Sequence, residues 1–182
     1  DISQYRHQER NGLLFVGGFG HPPNADAVHW FVEEVLPSLI KEIPDICLHV
    51  VGSSVPDSIK NLANDHIQIH GFLSDDDLKA LYQQIRVCVV PLRYGAGVKG
   101  KILEALQAGV PISTTSIGAE GLPEAEEVMV IADGPTEMAH QLLVLYNTPR
   151  ECDLYLSKYP EYIQKNFSQA RVQEVITADF LN

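Results

Sequence analysis

The chain has 182 residues, enough for one domain with a proper core and too few for two, and its 45% hydrophobic and 20% charged residues are ordinary for a globular protein. A net charge of −11 excludes sequence-independent nucleic-acid binding, which needs dense Lys and Arg, and no apolar run reaches the ~18 residues of a membrane span. Cys47, Cys88 and Cys152 lie far apart in mostly apolar runs and read as buried thiols in a reducing compartment, while the seven histidines show no metal-ligand spacing.

The polar opening, residues 1–11, is expected to be a linker remnant that leads straight into a strand from Gly12 to Gly17. From Asn24, the residues Val28, Phe31, Val32, Val35, Leu36 and Leu39 recur at helical spacing, with Pro44 beyond the end. Ile46 to Gly52 is a second strand, Pro56 to Leu62 a short helix, and His66 to Gly71 a third strand. His66 and His70 alternate along that strand and so do not converge as they would on a helix. Ser74 caps a helix whose first turn holds Asp75, Asp76 and Asp77 and whose apolar face is Leu78, Leu81, Tyr82 and Ile85. Val87 to Pro91 is apolar throughout, as a central parallel strand buried on both faces should be. A helix from Lys99 to Ala108 ends at Gly109, and strands follow at Val110 to Thr115 and Glu127 to Ile131. Helices over Thr136 to Tyr146, Arg150 to Asn166 and Ser168 to Leu181 complete the pattern. Strands alternating with helices through short connections predict an α/β fold: a Rossmann-like, doubly wound parallel sheet of about six strands with helices on both faces.

In such a sheet, ligands sit at the carboxyl ends of the strands. Those ends carry Gly17-Gly18, Gly52, Gly71 and Gly95-Ala96-Gly97, which together imply a rim where backbone can approach a ligand closely. The stretch from Pro91 to Leu106 is more specific, because a buried strand runs through a glycine-rich loop into a helix whose N-terminal N–H groups favour an anion. Arg93, Lys99 and Lys101 bracket that turn, and a lysine at a helix N-terminus opposes the dipole unless an anion is held there. Gly95, Gly97, Val98, Lys99, Gly100 and Lys101, with Arg93, are therefore candidate diphosphate-binding residues. Glu104 lies about one turn into the helix, where a carboxylate can accept two hydrogen bonds from a ribose diol. The loop lacks the Lys-Ser/Thr ending of a P-loop. Its glycines do match the dinucleotide spacing, but after the fourth strand rather than the first and with two lysines embedded.

Taken together, Phe15 to Gly18, Pro22 to Ala27, Pro91 to Lys101 and Thr114 to Gly121 resemble one branch of the family 4 (group 1) retaining glycosyltransferases, over nearly the whole chain from about Gly12 to Leu181. That resemblance implies the C-terminal half of a GT-B architecture, binding a nucleotide diphosphate sugar for transfer to an acceptor hydroxyl, with retention of configuration, no essential metal and no cofactor beyond the donor. By the same resemblance, Glu104 is the second glutamate of the family's two-glutamate motif and grips the ribose, while Ala96 stands where the first, sugar-contacting glutamate is expected. The diphosphate-binding cations usual after the first strand are missing between Gly18 and Asn24, so Arg93, Lys99 and Lys101 are expected to take over part of their work. Gly71 and Phe72 match the position that lines the base in relatives, and Phe72 equally suits a core position. The acceptor is expected on a missing N-terminal domain, toward which a helix over 168–181, capped by Ser168, would pack. The fragment alone is expected to bind nucleotide and turn over little. The resemblance implies work on cell-envelope polysaccharide in the cytoplasm, with the full-length protein peripheral at the inner face of the membrane. The alternatives are another doubly wound nucleotide enzyme, such as a sugar-nucleotide epimerase or an NAD-dependent oxidoreductase, and a noncatalytic module that holds a partner on the sheet rim.

Overall fold

The computed structural model describes residues 7–167. Its core is a six-stranded, all-parallel sheet in the order β3-β2-β1-β4-β5-β6, formed by β1 (Asn11–Val16), β2 (Leu48–Val51), β3 (Ile67–Gly71), β4 (Ile85–Val90), β5 (Ile112–Thr114) and β6 (Val130–Ile131). β1 lies at the centre, with Leu13 opposite Leu48 on one side and Val87 on the other. The continuous apolar runs of β1 and β4 follow from that placement, since helices cover both faces: Leu13, Leu14 and Phe15 are at most 1% exposed.

The helices are α1 (Pro22–Trp30), α2 (Leu36–Glu42), α3 (Asp57–Lys60), α4 (Asp75–Gln84), α5 (Gly100–Ala108), α6 (Pro135–Asn147), α7 (Pro149–Leu156) and α8 (Tyr159–Asn166). α2 packs against α6, and α6 against α7, whereas α4 and α8 flank α5. Right-handed crossovers put α1 and α3 on one face of the sheet and α4 and α5 on the other, because the chain reverses direction across the sheet after β3.

Local chemistry sets most boundaries. α1 begins at Pro22, two residues before the expected Asn24, because Pro22 and Pro23 suit a first turn in which N–H groups have no partner. A π turn over Phe31–Val35 joins α1 to α2, whose Pro37 has no N–H to give. Ser74 caps α4 as expected, its hydroxyl accepting from Asp77 N at 3.2 Å. Gly109, at φ 64°, closes α5 in the left-handed region. Three expectations need correction. Ile85, expected on the apolar face of the helix capped by Ser74, is the first residue of β4, because α4 ends at Gln84 and the chain turns extended there. The sixth strand is only Val130–Ile131, because Ala125–Glu127 is a 3-10 turn that starts from Glu124 in the left-handed region. The single helix expected over Arg150 to Asn166 is two, parted around Ser157 and Lys158, with Pro160 in the first turn of the second. The polar opening is tied down from His7 onward: His7 meets Leu145 O at 3.2 Å, and the buried Arg10 donates to Tyr82 O at 2.8 Å. The helix expected from Ser168 lies outside the described residues.

Candidate functional site

The strand order makes β1 and β4 neighbours although the chain reaches them from opposite directions, so the sheet's switch point lies between them. Two loops flank it: residues 17–21 run from β1 into α1, and residues 91–99 run from β4 into α5. A third, from Thr115 onward after β5, packs on the second. Thr114 Oγ1 donates to Val90 O at 2.8 Å, Thr115 Oγ1 donates to Leu92 O, and Gly118 N donates to Thr115 Oγ1 at 3.0 Å. Gly121 brings its backbone so close to Val98 that a Cβ there would meet Val98 Cγ2 at 2.9 Å.

All three candidate cations gather beside the switch point, but none stands as a plain surface charge. Arg93 Nε donates to Asp26 Oδ2 at 2.9 Å and its NH2 to Oδ1, a bidentate pair reaching across to α1 that raises the arginine's already high pKa. Lys99 is 7% exposed, turns its Nζ onto Gly97 O at 2.5 Å and lies 3.7 Å from Glu120. Lys101, also 7% exposed, crosses the crevice: its Nζ is 2.5 Å from Asn24 Oδ1 and 5.1 Å from the centre of the Phe15 ring. Burying two lysines is costly, and this net −11 chain nevertheless concentrates three cations at one strand end, with Asp26 and Glu120 beside two of them. The N-terminus of α5, opening at Gly100, points into the same place.

Glu104 sits one turn further along α5, half-buried, and its Oε2 accepts from Tyr82 Oη at 3.3 Å. Burial, then Cys88 and Glu104, push the Tyr82 hydroxyl well above its ordinary pKa, so it remains a donor.

The glycine rim divides in two. Gly17 and Gly52 are occupied by the protein itself: a Cβ on Gly17 would meet the Asn24 carboxamide at 2.8 Å, and one on Gly52 the Gly17 carbonyl oxygen at 1.9 Å. They serve close packing between strand ends, where no side chain fits. Gly18 is buried, and its carbonyl accepts from Asn24. Gly71 and Gly97 face open space, with nothing within 4 Å of a Cβ, and Gly95 meets only Pro23, at 3.7 Å. Phe72, beyond Gly71 at the end of edge strand β3, is 75% exposed, which removes its core reading. Ala96 and Tyr94 are exposed on the glycine loop.

Asn24, Asp26, Tyr82 and Glu120 are members of this cluster that sequence reasoning did not single out. Elsewhere, His49 Nδ1 and His70 Nε2 are 2.9 Å apart on neighbouring strands, with ring centres 5.2 Å apart and planes at 17°, so that one ring N–H donates to the other imidazole. A cleft of about 210 Å³ lies between the turn around Glu124 and α8, lined by Glu124, Glu127, Lys158, Glu161, Tyr162 and Lys165. Among the described residues no cluster of three or more His, Cys, Asp or Glu is placed to hold a metal ion, and no helix is long and apolar enough to cross a membrane.

Comparison with known proteins gives the arrangement a context. The family model described as "Glycosyl transferases group 1" matches residues 10–148. An uncharacterized 44.6 kDa protein in the cps region of Klebsiella pneumoniae is 28% identical over 169 residues, covering 88% of this chain and 43% of its own length. TarM superposes with a TM-score of 0.72 at 18% identity, over 96% of this chain and 36% of that one. WaaG, a glycosyltransferase involved in lipopolysaccharide biosynthesis, gives 0.70 at 17% identity, over 94% and 47%. The C-terminal domain of LpcC, a glycosyl transferase group 1 family protein from Francisella tularensis, gives 0.66 at 17% identity over 89% of this chain and 92% of that domain. At these identities the structural likenesses speak for the fold, and the chain spans less than half of the cps-region protein, TarM and WaaG.

Proposed function

The chain belongs to the group 1 glycosyl transferases, and from that premise we propose that it binds the nucleoside-diphosphate sugar donor of a two-domain, retaining glycosyltransferase. The observation that carries this reading is the gathering of Arg93, Lys99 and Lys101 with the α5 N-terminus at the switch point. A diphosphate there meets the backbone of Gly95, Gly97, Val98 and Gly100 and the field of three cations, while Glu104, one turn on and steadied by Tyr82, takes the ribose hydroxyls. The base extends along the rim past Gly17, Gly18 and Gly52 toward Gly71, where the exposed Phe72 offers a ring to stack on.

Chemically, the leaving diphosphate gathers negative charge as the glycosidic bond breaks, and positive groups already fixed at that spot lower the barrier without reorganising. No metal is needed when cations and helix dipole supply that field. Ala96 leaves the sugar without the acid expected there, so recognition of the sugar differs from that of the wider family. The acceptor is bound by an N-terminal domain, and the present chain alone holds nucleotide without appreciable turnover. The full-length protein works in the cytoplasm, peripheral to the inner face of the membrane, on cell-envelope polysaccharide; the likeness to WaaG and to the cps-region relative supports the polysaccharide part of that reading.

Calorimetry with UDP, GDP, ADP and NAD tests the reading. One nucleoside diphosphate should bind better than NAD, and Lys99→Ala should weaken it about tenfold or more, the loss of one charge-assisted contact. Preference for NAD would favour an oxidoreductase, and no nucleotide binding at all would favour a noncatalytic module.

A further inference from the structure

One buried side chain ties the two walls of the switch point together. Asn24 is 3% exposed in the first turn of α1, and its carboxamide fills the space left by the missing Cβ of Gly17. Its Nδ2 donates to Gly18 O at 2.6 Å, and its Oδ1 accepts from Lys101 Nζ at 2.5 Å. The orientation of the amide is dictated by its neighbours, since only an N–H can meet a carbonyl and only an oxygen can meet an ammonium. The contact from Asn24 is a neutral amide, which orders the ammonium without adding a charge of its own.

We propose that Asn24 is a positioning residue of the diphosphate site, fixing the Lys101 ammonium at the junction of β1 and β4 through an uncharged contact. The proposal rests on the donor-site reading above and extends it to a residue that touches the ligand only through Lys101. A carboxylate of the same shape at position 24 would compete with phosphate for the ammonium and repel the Gly18 carbonyl.

The test uses the full 182-residue chain and calorimetry with whichever of UDP, GDP and ADP binds it best, paired with the matching monophosphate. The ratio of the two affinities isolates the second phosphate. Asn24→Asp should lower that ratio about tenfold, or ~1.4 kcal/mol, and Asn24→Ser, too short to reach Nζ, about threefold. On a Lys101→Met background both changes should alter the ratio by less than about twofold, because a residue acting through Lys101 has nothing left to position. Should Asn24→Asp fail to fold, Asn24→Ser and its double variant decide the matter alone. A ratio within about twofold of the parent in every folded variant would overturn the proposal. So would a loss that persists in full without Lys101, or an equal loss for monophosphate and diphosphate. Each of those outcomes leaves the donor-site reading standing, whereas a parent chain that binds no diphosphate defeats that reading and the proposal with it.

Discussion

Replacing Gly52 with alanine should loosen the first wall of the site. A Cβ at that position falls 1.9 Å from the Gly17 carbonyl oxygen, 2.8 Å from its carbon and 3.2 Å from the Phe19 ring. The oxygen is backbone and cannot swing aside, so the end of β1 must move away from β2 by about an ångström. That movement strains the 2.9 Å hydrogen bond from Gly17 N to Val51 O. Overpacking of this kind costs ~1–3 kcal/mol, and weakening that backbone bond adds about 1 kcal/mol more, so a loss of ~2–4 kcal/mol is expected. Urea unfolding followed by circular dichroism measures it, and a domain with an ordinary 5–15 kcal/mol of stability remains folded at ~25 °C. Gly97→Ala is the control: its Cβ meets nothing within 4 Å, and its cost is the left-handed backbone at φ +78° alone, about 1–2 kcal/mol. Nucleotide affinity should fall with Gly52→Ala as well, because Gly17 and Gly18 hold Asn24. If Gly52→Ala proves no more destabilising than Gly97→Ala, the backbone contact does not fix the loop and the argument fails.

Removing the hydroxyl beside Glu104 with Tyr82→Phe should weaken nucleotide binding roughly fivefold, ~1 kcal/mol, which isothermal calorimetry would detect. Unchanged affinity would show that Glu104 needs no such support. Burial lowers the pKa of His49 and His70 below the ordinary 6.5, His70's charge adding to the effect at His49, so the folded protein binds fewer protons than the unfolded chain. Stability from this pair is therefore complete above pH 6.5 and is lost as the pH falls through the lowered folded values. Melting temperatures recorded from neutral to acidic pH should decline over that interval, and His70→Gln should flatten the decline. With a thiol reagent under native conditions, only the half-buried Cys47 should react, because Cys88 and Cys152 are at most 3% exposed and burial holds the Cys88 thiol far above its ordinary pKa. Modification of Cys88 at the same rate would mean that β4 opens readily.

The parts of this fold that were legible in the sequence are those where one local rule acts alone. The run Val87 to Val90 reads as a doubly covered strand because a parallel strand flanked by helices has no polar face to show. Ser74 and Gly109 mark helix ends because capping and left-handed closure are decided within a turn. Where two rules compete, the reading slipped. Residues 150–166 keep helical periodicity throughout, yet Pro160 ends the hydrogen-bond ladder, and residues 127–131 look β-rich although the turn before them uses up half of the run. The glycine loop and its cations were legible from composition and spacing. Their partners were not, since Asp26 is 67 residues from Arg93 and Asn24 is 77 residues from Lys101. Only the strand order brings them together. At Gly17 and Gly52 the sequence indicates that a side chain is excluded, but not that the protein's own atoms fill the space.

The placement of β1 also governs how the chain is made. Its partner on one side, β2, follows within the next 40 residues, but its partner on the other, β4, is not complete until Val90. A ribosome adding ~5–20 residues per second therefore leaves β1 with an open edge for seconds after the β3-β2-β1 half can form. That edge belongs to a strand whose Leu13, Leu14 and Phe15 are almost wholly enclosed in the finished protein, and it is an unprotected template for pairing with another nascent chain. A truncation ending after β3 should aggregate, and expression should respond to chaperone supply during that interval.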